Sequence, residues 1–361
     1  MKRSHHADIL SIQYLRGIAA LMVVLFHVSR EVRPILGAHV LAWGEFGVDI
    51  FFIISGFVMI YSVSRANATP SPYLFMEKRL VRIAPMYWLM SVLMVIGLII
   101  RPGIFNSAVL DTGHVIQSLL FIPHFHPGIP QAIMPMLVPG WTLTYEIYFY
   151  LLFALFISSG SIGRFVLPST AIIVISVIAV HLLPGEGAIA RFLSNPIALE
   201  FVLGMAVGLA YLKGWLASRR IAPFAAFAAF ALIVFCSSVD SRLWTAGAFS
   251  ALLVYFAVSS SIKVRPGMHL LLQALGDSSY SLYLSHIFVI GMTTMIWKRV
   301  GITAANSSYL SATSYILLCT ILSVIIGFVV FRYVERPITG IARSLLAARR
   351  ERYSAVVTGR S

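Results

Sequence analysis

Apolar residues recur in long runs from one end of this chain to the other, and that pattern decides the fold class. A bilayer's hydrocarbon core is about 30 Å thick and needs about 20 mainly apolar helical residues to cross it. Ten stretches qualify: 9–28, 46–63, 84–100, 141–158, 165–183, 194–212, 221–238, 243–260, 275–297 and 310–332. Backbone amides find no water in hydrocarbon, so each run is expected to be an α-helix. Only 11% of the 361 residues are charged, against about 25% in soluble domains. No long polar block interrupts the runs. Residues 1–345 are therefore read as one all-α transmembrane domain, and 346–361 as a basic cytoplasmic tail. The first run follows Lys2 and Arg3 as a signal peptide's would. It is too long for that role and carries Arg16, so a retained first span is expected.

The formal net charge of +14 invites a nucleic-acid partner. Its distribution argues for topology instead. With the N-terminus in the cytoplasm, nineteen Lys and Arg residues fall inside and seven outside, leaving Arg16 within a span. That bias obeys the positive-inside rule and puts both termini in the cytoplasm. The tail ARSLLAARRERY is amphipathic and basic, and reads equally as solvated or as resting on anionic lipid. Cys236 and Cys319 lie in apolar runs without metal-ligand spacing and read as small buried hydrophobes.

Ionisable groups inside apolar runs are costly and point to function. In LRGIAALMVVLFH, Arg16 and His27 are eleven residues apart. At 100° per residue that is three turns plus about 20°, so they share a helix face with about 16 Å between them along the axis. Each alone also reads blandly, as a snorkelling arginine or an interface histidine. Asp49, Glu146 and Glu200 fall at a similar outer depth to His27 in three further spans, and predict one outer polar pocket. On the inner side, Arg79 and Arg82 share a helix face near Arg16. They serve either as topology anchors or, with Arg16, as an anion site, because guanidinium groups bind phosphate bidentately. Asp277, Tyr283 and His286, in GDSSYSLYLSH, are candidates for a channel or acceptor pocket, as is Glu200. The loop around 101–140 contains FIPHFHPGIPQAIMPMLVPGW, and its apolar content predicts packing over an outer cavity. His124 and His126 suggest a metal, but no third ligand stands near them in sequence, so no metal is expected. The chain has no Walker A sequence, G-x-S-x-G, C-x-x-C or H-E-x-x-H.

YLRGIAALMVVLFH, GVDIFFIISGF, KRLVRIAPMYW, GWTLTYEIYFY, LGDSSYSLYLSH and YVERPI occur in this order between Tyr14 and Ile338. As a set they resemble the membrane-bound acyltransferase family 3, and ILSIQYLRGIAA with MLVPGWTLTYEIYFY looks most like its exopolysaccharide (succinoglycan-type) O-acetyltransferase branch. The resemblance implies a bacterial inner-membrane enzyme of about ten helices. It would move an acyl group, expected to be acetyl, from acyl-CoA to a hydroxyl of an exopolysaccharide or lipid-linked oligosaccharide. Acetyl-CoA would be a cosubstrate, with no bound cofactor. The family's arginine–ten residues–histidine motif maps onto Arg16 and His27, and its Arg-x-x-Arg motif onto Arg79 and Arg82. On this reading the arginines hold the CoA phosphates. His27 takes the hydroxyl proton or carries the acyl group itself, and Glu146, or else Asp49, orients it. Polysaccharide assembly proteins are natural partners. The competing reading is a transporter or flippase in polysaccharide export, since buried His, Asp and Glu also form proton relays.

Overall fold

A computed structural model describes residues 5–37, 39–65, 71–101, 103, 105, 108–159, 162–182, 187–236, 243–260, 264–300 and 308–358. Lys2, Arg3, Arg242, Lys263 and Arg360, part of the charge count above, lie outside them. The described residues fold into helices: α1 (His5–Leu36), α2 (Gly47–Ser64), α3 (Pro72–Ile100), α4 (Thr112–Leu119), α5 (Trp141–Phe156), α6 (Ile162–Leu182), α7 (Ala188–Leu193), α8 (Ala198–Leu212), α9 (Ala222–Phe235), α10 (Ala248–Ser259), α11 (Pro266–Asp277), α12 (Ser279–Arg299), α13 (Tyr309–Val330) and α14 (Arg336–Thr358). They contain no strand; Phe125 and Ile133 form a single antiparallel bridge.

Each expected apolar run holds a helix, but not all have spanning length. Seven stretches are long and apolar enough to cross a membrane: Leu10–Leu36, Ala42–Ser64, Pro72–Ile100, Ile162–Ala179, Ala188–Leu212, Ser279–Arg299 and Tyr309–Arg349. Ala222–Phe235 and Thr245–Ser259 are apolar but shorter. The helix α5 has 16 residues, or about 24 Å at 1.5 Å per residue. The expected ninth run divides at Ser278, which joins α11 to α12. At the join Ser278 takes φ −85° and ψ 0°, outside helical geometry, while the backbone bonds from its amide to Ala274 and from Leu282 to its carbonyl persist at 3.0 and 2.8 Å. Its Oγ donates to the Ala274 carbonyl at 2.8 Å and Ser279 Oγ to Gly276 at 2.7 Å.

The helix α1 is central, packing against α2, α10, α11, α12 and α13. Close approach depends on glycine. A Cβ on Gly56 would lie 2.2 Å from the Phe201 carbonyl oxygen, and one on Gly204 2.2 Å from that of Ile53, so α2 and α8 meet backbone to backbone. Small residues at such crossings are how helices pack when lipid is as apolar as their side chains. The opposite surfaces are apolar and exposed, as in Leu317, Ile321, Ile325 and Phe328 along α13. A helix apolar on its outer face belongs in lipid.

Candidate active site

The helix α3 starts at Pro72, well before the apolar run expected from residue 84, so Arg79 and Arg82 are held on a rigid helix. Their guanidinium groups meet Arg16 of α1 in a cavity of about 240 Å³, also lined by Gln13, Glu146, Tyr150, Tyr280 and Tyr283. Arg79 Nη2 donates to Ser62 Oγ at 2.9 Å. Its charge lies 5.4 Å from the centroid of the Phe75 ring and 5.5 Å from that of Tyr150, within cation–π range. Arg16 Nη1 donates to Gln13 Oε1 at 3.5 Å, and Gln13 Nε2 donates to Asp277 Oδ1 at 2.5 Å. The charged neighbours of Arg16 are Arg82, Glu146 and Glu335. Glu335 accepts from Ser281, and Glu146 from the Tyr150 hydroxyl. Three cations thus face two carboxylates. Like charges packed in a low-dielectric interior repel strongly, and a bound anion would relieve the excess.

His27 occupies a different layer and does not line this cavity. Because α1 continues to Leu36, His27 lies about 13 Å from the helix's C-terminal end, not at the end of the run as expected. Its Nδ1 bonds the Val23 carbonyl at 2.9 Å. A carbonyl only accepts, so Nδ1 carries the proton and the Nε2 lone pair is left available. The ring packs edge-on to Phe26 and, at 4.9 Å between centroids, against the buried His286 of α12. His286 lies 6.1 Å, centroid to centroid, from Tyr283. Tyr283 lines the arginine cavity, where its hydroxyl donates to the Pro139 carbonyl and bonds Thr142, both at 3.0 Å. His286 and Tyr283 therefore link the two layers.

The structure does not gather the expected outer pocket. Glu146 belongs with the arginines, not with His27. Matching depth along a helix says nothing about azimuth, and α5 turns Glu146 toward α3. Asp49 and Glu200 are fully buried, in the first turns of α2 and α8. The Glu200 side chain packs against Gly247, where a Cβ would lie 3.3 Å from its Oε1. Asp277 is exposed at the end of α11. Residues not anticipated are Gln13, Ser62, Tyr150 and Tyr280. Two had a local signal: Tyr150 stands four residues after Glu146, and Gln13 three before Arg16, spacings at which helical side chains meet. Ser62 and Tyr280 come from other helices and had none.

The loop around 108–140 packs as a cap. Tyr87 and Trp88 of α3 donate to the Ser118 and Leu119 carbonyls at 3.0 and 2.8 Å, tying down α4. His114 joins His124 and His126, which sequence spacing had left as a pair. His124 Nδ1 donates to the Ile122 carbonyl at 2.7 Å, leaving its Nε2 to accept from His114 Nδ1 at 2.6 Å. His126 Nδ1 accepts from the Gly128 amide at 3.0 Å. Burial, then the neighbouring imidazoles of His126 and His124, pushes His114 down to about 4. Burial, then His124, also lowers His126. Among the described residues no group of three or more His, Cys, Asp or Glu side chains is arranged to hold a metal ion.

The fold and site define a helical membrane protein with a cationic cavity and a separate imidazole layer. The family model described as "Acyltransferase domain" matches residues 9–332, and the chain belongs to this acyltransferase family, the membrane-bound acyltransferase family 3. It is 32% identical to the exopolysaccharide production protein ExoZ of Rhizobium meliloti, across 94% of this chain and 99% of that protein. It is 23% identical to the putative peptidoglycan O-acetyltransferase YrhL of Bacillus subtilis, over 93% of this chain and 56% of YrhL. Identity with the acyltransferase MdmB of Streptomyces mycarofaciens is 26%, over 91% and 90% of the two chains. No solved structure matches it.

Proposed function

We propose that the protein transfers an acetyl group from acetyl-CoA to a hydroxyl of an exopolysaccharide or its lipid-linked precursor. The observation that carries this is the convergence of Arg16, Arg79 and Arg82 on one cavity within the helical domain. Its cationic excess suits the phosphates of CoA, which guanidinium groups hold bidentately. At about 240 Å³ the cavity is smaller than the roughly 300–1,000 Å³ usual for a whole ligand. Only part of the donor enters, with the nucleotide left at the inner mouth and the acyl-bearing arm running outward toward His27.

In this reading the chain crosses the inner membrane ten times with both termini in the cytoplasm. The short helices α5, α9 and α10 cross where the bilayer thins. Residues 1–345 form the acyltransferase domain, and 346–361 form a basic tail continuing α14. The His27 Nε2 lone pair accepts the hydroxyl proton as the oxygen attacks the thioester carbon. Glu146 and Tyr150 hold the arginine cluster in place rather than orienting His27. Asp49 and Glu200 shape the buried α2–α8 wall, while Asp277, through Gln13, steadies Arg16. The printed names of ExoZ and YrhL point to a glycan acceptor.

The test is chemical. Surface polysaccharide from cells with and without the gene is compared for base-labile O-acyl groups and for yield. Loss of ester with normal yield supports the enzyme. Loss of polymer itself would support transport and overturn this reading.

A further inference from the structure

The seam between α1 and α12 is built from apolar side chains, Val24 and Val28 on one side and Leu282 and Val289 on the other. Two imidazoles sit within it, His27 and His286. His286 is 0% exposed, and neither ring nitrogen makes a hydrogen bond of good geometry; the Leu282 and Tyr283 carbonyls lie one turn back. A buried polar group without a partner is costly. Such a group persists where its partner arrives with the substrate or during the reaction. His27 has its Nδ1 committed to Val23, so the nitrogen that takes up a proton is Nε2. On its other side His286 meets Tyr283, at the wall of the arginine cavity.

We infer that His286 is the second imidazole of the acyl-transfer reaction, a positioning and proton-accepting partner for His27. The inference rests on the acyltransferase reading above. The acceptor oxygen forms its bond to the acyl carbon, the carbon–sulfur bond breaks, and the hydroxyl proton passes to His27 Nε2. His286 receives that proton from His27 and passes it to the departing CoA sulfur beside the acyl carbon, which becomes the free thiol. No other reactant is consumed. The role explains why an imidazole, not a larger aliphatic side chain, fills the position between Leu282 and Val289.

The test uses membranes containing the full-length protein and labelled acetyl-CoA with polysaccharide acceptor. Wild type, His286→Phe, His286→Gln and His27→Ala are compared, each normalised to folded protein by detergent thermal melting. His286→Phe fills the space without a proton acceptor. It is expected to lower kcat by about 10-fold or more, up to the roughly 10²–10⁴ that general acid–base catalysis supplies, with the KM for acetyl-CoA unchanged. His286→Gln, whose amide oxygen can still accept a hydrogen bond, is expected to recover part of that loss. Equal kcat in all three His286 proteins would overturn the inference while leaving the acyltransferase reading intact. So would Phe and Gln losing activity equally, or a loss matched by a rise in KM. Absence of transfer by the wild type would instead remove the acyltransferase reading. Should His286→Phe fail to fold, the comparison of Gln with wild type decides: a kcat unchanged by Gln, which cannot relay a proton onward, contradicts the role.

Discussion

At the scale of single residues, the site turns on which nitrogen and which arginine do what. The bond from His27 Nδ1 to Val23 aims the basic Nε2 away from its own helix. That orientation comes from the backbone of α1 itself and does not depend on a carboxylate. Arg79 combines a hydrogen bond to Ser62 with two aromatic faces, which holds the guanidinium plane in one orientation. Arg79→Ala removes charge-assisted bonds worth about 1.5–3 kcal/mol. The expected effect is a rise of about 10- to 100-fold in the KM for acetyl-CoA, and steady-state kinetics in membrane vesicles would check it. An unchanged KM removes Arg79 from the donor site. Arg16 and His27 stood out in the sequence as ionisable groups in an apolar run, and Arg79 and Arg82 as a pair on one helix face; the structure brings the three arginines to one cavity. Their sorting into two layers was not legible in the sequence. Depth follows from counting residues, but azimuth depends on how α5 and α12 are rotated against α1, and single-chain spacing does not encode that rotation.

At the scale of elements, two packing devices make separate predictions. The first is the glycine crossing of α2 and α8. Gly204→Val would drive a side chain into the Ile53 carbonyl, and overpacking of this kind costs about 1–3 kcal/mol. A lower melting temperature in detergent is expected; a wild-type melting temperature would show that the helices have room to spare. The second is the histidine cluster of the loop around 108–140. Its members face one another and Asp111, which caps α4 by accepting from the His114 amide, while Arg191 lies over the adjacent Phe125 ring. His114 is held below its ordinary 6.5, at about 4. The open loop therefore binds more protons than the packed one between those values, and packing weakens as pH falls through that window. Limited proteolysis of residues 108–140 should quicken from pH 7 toward pH 4, and less so in His114→Gln. A flat profile would contradict the account. Helix positions were readable from apolar runs. The break at Ser278 was not, because it is a change in the backbone torsions of one residue, and runs of apolar residues do not report that.

At the scale of the whole molecule, the separation of charge is the organising fact. Cations gather around one cavity and imidazoles around another level of the same central helix, with Tyr283 and His286 between them. The proposed reaction, with donor and glycan on opposite sides of a membrane, would use two such levels along one helix. The all-helical class and the membrane location followed from composition and run length alone. The number of crossings was less accessible, since α5, α9 and α10 are apolar but short, and hydropathy does not distinguish a short span from a buried helix. The most direct test of the account is the base-labile O-acyl content of surface polysaccharide from cells making the wild-type protein or His27→Ala at equal membrane levels. The account predicts a fall of at least about 10²-fold in the variant, the lower bound for losing a general base. An ester content equal to wild type would contradict it.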